Sequence, residues 1–445
     1  MVSQDRNRLA VLVLVLVAGS APVAAQGPTS PPLRLSFAEA VRRAAAEAPA
    51  VELAGLRTDA AVARVRQARG ALFPSLSLAA GWLNRDFNAK AQGIAFPGVP
   101  TIIGPFSAYD ARVRVTQTLF DISSLARVRA ARAQATGSTA EGGAVSEAAA
   151  AAAALAYLRA ARAAAQLTAR QADSAVAADL VGLAQAQKNA GVSAAIDVTR
   201  ARTQLVSAVG ALLVAKNQLD RARIDLARTL GLDPWMPIEF TDTLAAALPT
   251  AAVPTTADSI VALALARRPD LAAELARGDA ARTVKAAIGA ERLPRLDLAA
   301  DYGLSGLTPS SSVGTRQIGV QVSIPILDGF RREGRAAEQA AVARESEVRA
   351  RDLRQQIAAD VEGALLDRGS AEAQQVIAAE RLRLAADELA QARERFAAGV
   401  VGNIEVINAQ ASLLRARDTD IDARFAAATA RIALARAAGL ARTLR

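Results

Sequence analysis

The chain contains neither cysteine nor histidine, so carboxylates are the side chains with most scope for chemistry. The missing thiol closes off disulfides and thiolate metal sites. The missing imidazole removes the commonest metal ligand and general base. The acids that remain fall into no Gly-x-Ser-x-Gly elbow, phosphate loop or metal-spaced cluster. The expectation is a chain that is not an enzyme, with no catalytic residue, cofactor or metal site. Two carboxylates stand out by position. Asp197 lies in the run GVSAAIDV, just after Gly191 and Val192, and Glu405 lies in GVVGNIEV, just after Gly399 and Val400. Each is expected near the start of a helix, where the helix dipole favours a negative charge by a few tenths to about 1 kcal/mol. Gly191 and Gly399 suit the left-handed residue that closes a helix. Val192, Val400 and Val401 are then exposed apolar residues at two tips, suited to a protein contact.

A second set of polar side chains alternates with apolar ones. Asp110, Arg112 and Arg114 alternate with Tyr109, Ala111, Val113 and Val115. Asp297 and Asp301 lie among Leu296, Leu298, Ala300, Tyr302 and Leu304, while Gln317 and Gln321 lie among Ile318, Val320, Val322 and Ile324. Ser75, Ser77 and Gly81 stand between Leu76, Leu78, Ala80 and Trp82. Period two is the pattern of a strand with unlike faces. Runs of roughly ten residues suit a membrane β-barrel, apolar towards lipid and polar towards the lumen. On that reading Asp110, Arg112, Arg114, Asp297, Asp301, Gln317 and Gln321 face the lumen. Trp82, Tyr109 and Tyr302 suit the membrane interface. A soluble hairpin packed on a core is the alternative. Four strands cannot close a barrel, and open edges are not tolerated in lipid. Two copies would give eight strands and three would give twelve.

The elements that carry these residues are duplicated. Pro49 and Pro74 recur as Pro269 and Pro294, 220 residues on; Leu119-Phe120-Asp121 resembles Ile326-Leu327-Asp328; Gly191-Val192 recurs as Gly399-Val400, 208 residues on. The shortfall comes from a longer Gly- and Pro-rich loop between Asn84 and Ser107 in the first copy. The repeats span 34–230 and 257–438, joined by a linker at 231–256 and followed by a tail at 439–445. Each reads as a helix of about 35 residues ending at a proline. A hairpin follows, at 75–117 or 295–324, and then a helical hairpin, at 122–230 or 330–438. The proline-free stretches 122–189 and 330–398 would each span roughly 100 Å as helices. Alanine-rich composition favours such helices and lets them pack closely.

Residues 1–25 read as a secretory signal peptide: Arg6 and Arg8, an apolar run at 9–17, then Val23-Ala24-Ala25 before Gln26. The apolar run is about half of the ~20 residues a spanning helix needs. The formal charge is +10, but arginines are interleaved with acids along every helix. No basic run carries the stacking aromatics of a nucleic-acid groove, so solvated helix faces explain the charge and no nucleic-acid partner is expected.

The junctions FPSLSL, LPRLDL, TLFD and ILDGFRR, with the tips GVSAAIDVTRARTQL and FAAGVVGNIEVINAQASL, resemble the outer-membrane efflux protein family, the TolC-type export ducts. The resemblance covers essentially the whole mature chain. It implies a fold mostly α with a membrane β-barrel: four β-strands and long α-helical hairpins per chain. A homotrimer would form a 12-stranded β-barrel in outer-membrane lipid and an α-helical barrel in the periplasm. It implies a passive exit duct of a tripartite efflux or type I secretion system. A periplasmic adaptor (membrane fusion) protein would grip the tips and link them to an inner-membrane efflux pump or ABC transporter, which chooses the cargo. The adaptor contacts would fall on Gly191, Val192, Gly399, Val400 and Val401. It also implies a periplasmic gate of acidic residues ringed about the axis, whose matched positions are Glu405 and Asn408, with Asp197 the repeat equivalent of Glu405. The family pattern has two aspartates there, so one ring loses its charge. Phe396, Val401 and Gly182 match a tyrosine–arginine–aspartate lock in some members, and that lock is expected to be absent. A trimeric coiled-coil surface scaffold or adhesin without a pore is the competing function, disfavoured because a scaffold has no use for amphipathic strands.

Overall fold

A computed structural model describes residues 32–93, 97–98, 100–246 and 251–445. The signal read at 1–25 and a short part of the linker lie outside the described residues.

Each repeat opens with two helices rather than one. In the first, α1 (Phe37–Glu47) is capped by the Ser36 hydroxyl, which accepts from the Glu39 amide at 3.2 Å, and α2 runs over Pro49–Gly70. In the second, α5 (Ala257–Arg267) precedes α6 (Pro269–Ala290). The expected 35-residue helix breaks because proline forces its predecessor out of helical geometry. Ala48 (ψ 143°) and Arg268 (ψ 118°) are extended accordingly. Gly70 and Ala290 end the second helices, and strands start directly after Pro74 and Pro294.

Strands β2 (Ser75–Asn88), β3 (Ile102–Phe120), β5 (Arg295–Gly306) and β6 (Val313–Ser323) form one antiparallel sheet in that order. The two hairpins thus join through β3 and β5, and β2 and β6 are left as open edges. The first hairpin is longer than its alternation suggested: pairing continues to Asn88 opposite Ile102, past a shift between Arg85 and Phe87. In the register, Leu78 faces Val113, Val113 faces Tyr302, Leu298 faces Val320, and Ala300 faces both Val115 and Ile318. Residues directly opposite share a face, so the apolar sets of all four strands form one continuous surface. Gln117, opposite Leu298, and Arg316, opposite Tyr302, depart from the alternation. Gln117 donates to the Leu72 carbonyl at 3.0 Å.

Two long helices follow the hairpins, α3 (Ile122–Asn189, 68 residues) and α7 (Arg331–Ala397, 67 residues). Each turns back as a shorter helix, α4 (Ala195–Thr229) or α8 (Asn403–Ala437). Their lengths correspond to about 100 Å and about 50 Å. Among the described residues no helix is long and apolar enough to cross a membrane.

The main core lies half-way along α3. Ala150, Ala153, Ala154 and Leu158 are fully buried there, in one apolar cluster with residues of α1, α5 and the end of α8. The linker packs into the same place. Its strand β4 (Ile238–Phe240) pairs in parallel with β1 (Leu33–Leu35). Tyr157 sits edge-on between Phe37 and Phe240, at 5.8 and 5.4 Å. Its hydroxyl donates to the Leu35 carbonyl at 3.1 Å and accepts from the Asp242 amide at 3.3 Å. Burial pushes the phenol up to about 12, with the Asp242 amide opposing. The C-terminal tail is docked as well: buried Glu147 accepts from the backbone amide of Ala441 and from Arg442 Nε at 3.1 Å.

Candidate functional site

Both tips are built alike. Gly191 (φ 73°) and Gly399 (φ 71°) are left-handed, a conformation in which a β-carbon is strained. The Val192 amide donates to the Gln187 carbonyl at 3.0 Å and the Gly191 amide to Lys188 at 3.1 Å. In the second repeat Val400 donates to Arg395 and Gly399 to Phe396, both at 3.0 Å. These paired bonds satisfy the last carbonyls of α3 and α7. Val192 and Val400 are exposed, with Ile196 and Ile404 beside them. Val401 differs from expectation. The chain reverses between Val400 and Asn403, which turns Val401 inward, half-buried against the apolar cluster of the tip.

Asp197 and Glu405 occupy the third position of α4 and of α8, in the first turn of each. Their partners differ. Asp197 accepts from the Ser193 hydroxyl at 2.8 Å, with Arg200 at 3.8 Å. Val401 holds the place of Ser193 in the second repeat, so Glu405 has no such hydroxyl. It pairs instead with Arg395, near the end of α7. Arg395 is the repeat equivalent of Gln187, and Gln187 donates across the repeats to the Phe396 carbonyl at 2.8 Å. Asn408 is exposed one turn beyond Glu405. Ser193, Arg395, Gln187 and Asn403 were not singled out in the sequence. Laying one repeat on the other at the 208-residue offset would have found the first three.

Within one chain the two tips form a single four-helix end. Leu180, Ala184, Val198 and Ala201 pack with Leu389, Phe396, Val406, Ala409 and Leu413. Phe396 is buried there, whereas Gly182 is exposed, so these two positions of the lock contribute packing and no charge. Asn403, fully buried, donates to the Asp197 carbonyl at 2.8 Å. Two turns on, buried Gln410 has no hydrogen-bond partner among the described residues. Further along the same seam, Asp173 on α3 accepts from Arg170 at 3.0 Å and from Arg417 on α8 at 2.5 Å. Burial pushes this carboxyl up, against the pull of Arg417.

The polar sheet residues gather on the face opposite the apolar one. Arg112 bridges Asp110, at 3.1 Å on its own strand, and Asp301 on the neighbouring strand. Asp301 stands opposite both Arg114 and Gln317 in the register, and Asp297 stands opposite Gln321. Asp297 accepts from Thr118 at 3.0 Å and from Arg295 at 2.6 Å. The arrangement makes a charged wall with compensated ions. Among the described residues no cluster could hold a metal ion.

Exposed apolar stripes run along the two lateral edges of the helical part. Val206, Val209 and Leu213 line α4, and Val376, Ile377 and Leu384 line α7. The edges of the sheet match them, β2 from the first repeat and β6 from the second. One side of the molecule therefore belongs to each repeat.

A sequence model of the outer membrane efflux protein family matches residues 40–232 and 260–440. Protein CyaE of Bordetella pertussis is 28% identical over 439 residues, which cover 95% of this chain and 88% of that protein. The pyoverdine export outer membrane protein OpmQ of Pseudomonas putida is 27% identical over 278 residues, 62% of this chain and 57% of that protein. The crystal structure of the Campylobacter jejuni CmeC outer membrane channel superposes with a TM-score of 0.77 at 15% identity, covering 91% of this chain and 85% of that one.

Proposed function

From the premise that the chain belongs to the outer membrane efflux protein family, we propose how its parts serve as an outer-membrane channel subunit of a tripartite efflux or type I secretion system. It resides in the outer membrane, with its helical part in the periplasm. One observation carries the reading: a two-faced sheet with two open edges stands on helical hairpins whose lateral edges are also unpartnered and apolar. Edges of unlike origin on the two sides call for a head-to-tail ring. In a homotrimer, β2 of one copy meets β6 of the next and closes twelve strands, while α4 meets α7 and closes the helical tunnel. The Arg112 face then lines the lumen, and the Val113 face meets lipid. In this reading residues 1–25 are the export signal, and 34–230 and 257–438 are the two repeats.

Conduction is passive, and an inner-membrane pump or ABC transporter supplies energy through a periplasmic adaptor. Val192 and Val400, exposed on neighbouring tips, are the adaptor contacts, with Gly191 and Gly399 shaping them; Val401 supports them from inside. Glu405, Asp197 and Asn408 form the periplasmic constriction. The intrachain partners of the two acids support a joint role, capping each returning helix while holding it in place. Single-channel recording in planar bilayers tests the function. Discrete conductance steps are expected. A pure trimer that never conducts, even with both acids neutralised, overturns the channel reading in favour of a coiled-coil scaffold.

A further inference from the structure

The corner between β6 and α7 carries three large apolar side chains that nothing in the chain covers. Ile326 is 92% exposed, Leu327 78% and Phe330 73%. The corner is nonetheless rigidly built. Buried Arg332 donates to the Asp328 carboxylate at 3.0 Å and to the Pro325 and Glu291 carbonyls at 3.3 and 3.4 Å. Polar groups turn inward and apolar groups outward, the reverse of a solvated corner. Phe330 adds backbone strain: it is left-handed (φ 63°), directly after left-handed Gly329, and no other described non-glycine residue has a positive φ. A bulky residue at that φ is an outlier that needs a reason. Its conformation projects an aromatic ring where a glycine would suit the backbone better. In the first repeat the chain enters α3 directly from Asp121, without this extra left-handed step.

We propose that Ile326, Leu327 and Phe330 form a wedge that inserts into the phospholipid leaflet at the periplasmic end of the barrel. The inference rests on the reading of the sheet's apolar face as lipid-facing. Continuity is the main argument. Ile318, Val320, Val322 and Ile324 bring that apolar surface to the corner, and Ile326 extends it. The corresponding corner between β3 and α3 also exposes Leu119, Phe120 and Ile122. It lies inside the sheet, where no neighbouring copy pairs, so exposure at that corner is not a product of the open edge. Arg331, next in the chain, is exposed; its Nε donates to the Asp328 carbonyl at 3.1 Å, which holds a cation beside the corner at headgroup level.

The chain has no cysteine, so single nitroxide labels can be placed at Ile326→Cys, Leu327→Cys and Phe330→Cys, with Val320→Cys as the control on the sheet. Trimers are reconstituted in phosphatidylethanolamine–phosphatidylglycerol vesicles. Collisions with oxygen are then compared with collisions with a water-soluble nickel chelate. A lipid wedge gives an oxygen-to-nickel ratio above one at the three corner sites. Free access to nickel there, with oxygen still preferred at Val320, overturns the wedge alone. Low access to both reagents with an immobilised label means a second copy covers the corner, and also overturns it. Nickel access at Val320 as well removes the lipid-facing reading on which the wedge rests. The three sites report independently, so loss of one variant in folding leaves two.

Discussion

The side-chain amide of Asn403, at the first residue of α8, donates to the backbone carbonyl of Asp197 in the first turn of α4 at 2.8 Å. This bond ties the two returning helices together across the repeats. Asn403 is fully buried, and its other amide atom has no partner. Replacing it with alanine removes one hydrogen bond, worth about 1 kcal/mol net. Asn403→Ala is therefore expected to leave the trimer assembled but to loosen the tips. Limited proteolysis should cut faster near Gly191 and Gly399, and unchanged cleavage there would show that the apolar cluster alone holds them.

Glu405 and Arg395 close the second tip as a pair. Both are more than a third exposed, so screening limits the pair to less than about 1 kcal/mol of stability. In the proposed constriction its larger effect would be to hold α8 in position. Glu405→Ala and Arg395→Ala are both expected to raise basal conductance in planar bilayers, and high salt should raise that of the unaltered channel towards theirs. A rise in Glu405→Ala alone would assign the constriction to the charge itself. No rise in either would reassign the carboxylate to helix capping.

The architecture was legible in the sequence because its signals are local and repeated. The alternation around Val113 and Val320 marked the strands, and Gly191 and Gly399 marked the turns. The break at Ala48 was legible too, since proline at position 49 forbids a helical predecessor, but the surrounding alanines masked it. The partners of Asp197 and Glu405, Ser193 and Arg395, lie only 4 and 10 residues away and show once the repeats are laid on each other. The bonds that join the two tips, Gln187 to Phe396 and Asn403 to Asp197, were not legible: they link side chains and carbonyls 209 and 206 residues apart, and alanine-rich helices offer many registers of nearly equal quality. Tyr157 illustrates the same limit: nothing near it signals that a linker strand will return to Leu35.

Arg268, in the break between α5 and α6, donates to Asp270 at 2.7 Å and to Asp360 on α7 at 2.8 Å. Burial pushes the Asp270 carboxyl up, but the Arg268 hydrogen bond and charge outweigh it and hold the group below its ordinary 3.8. A lowered folded value means the pair stabilises the fold above pH ~4 and stops doing so as pH falls through that lower value. Asp270 is more than a third exposed, so the contribution at neutral pH stays under about 1 kcal/mol. Asp270→Asn is expected to lower the thermal midpoint slightly at pH 7, with the difference shrinking as pH drops below about 4. A difference independent of pH would assign the loss to packing.

The head-to-tail ring makes a prediction about distance. Leu213 lies on the free edge of α4 and Ile377 on the free edge of α7, both exposed. At 1.5 Å per residue each is about 30 Å from its tip, so the two stand at the same height on opposite sides of one chain. They cannot meet within a molecule whose α3 and α8 lie between them, but α4 of one copy can meet α7 of the next. With no native cysteine to interfere, the double variant Leu213→Cys, Ile377→Cys should give dimers and covalent trimers under mild oxidation, whereas each single variant should remain monomeric on a denaturing gel. Crosslinks in the single variants would mean that like edges meet, an isologous contact incompatible with closing twelve strands from three copies.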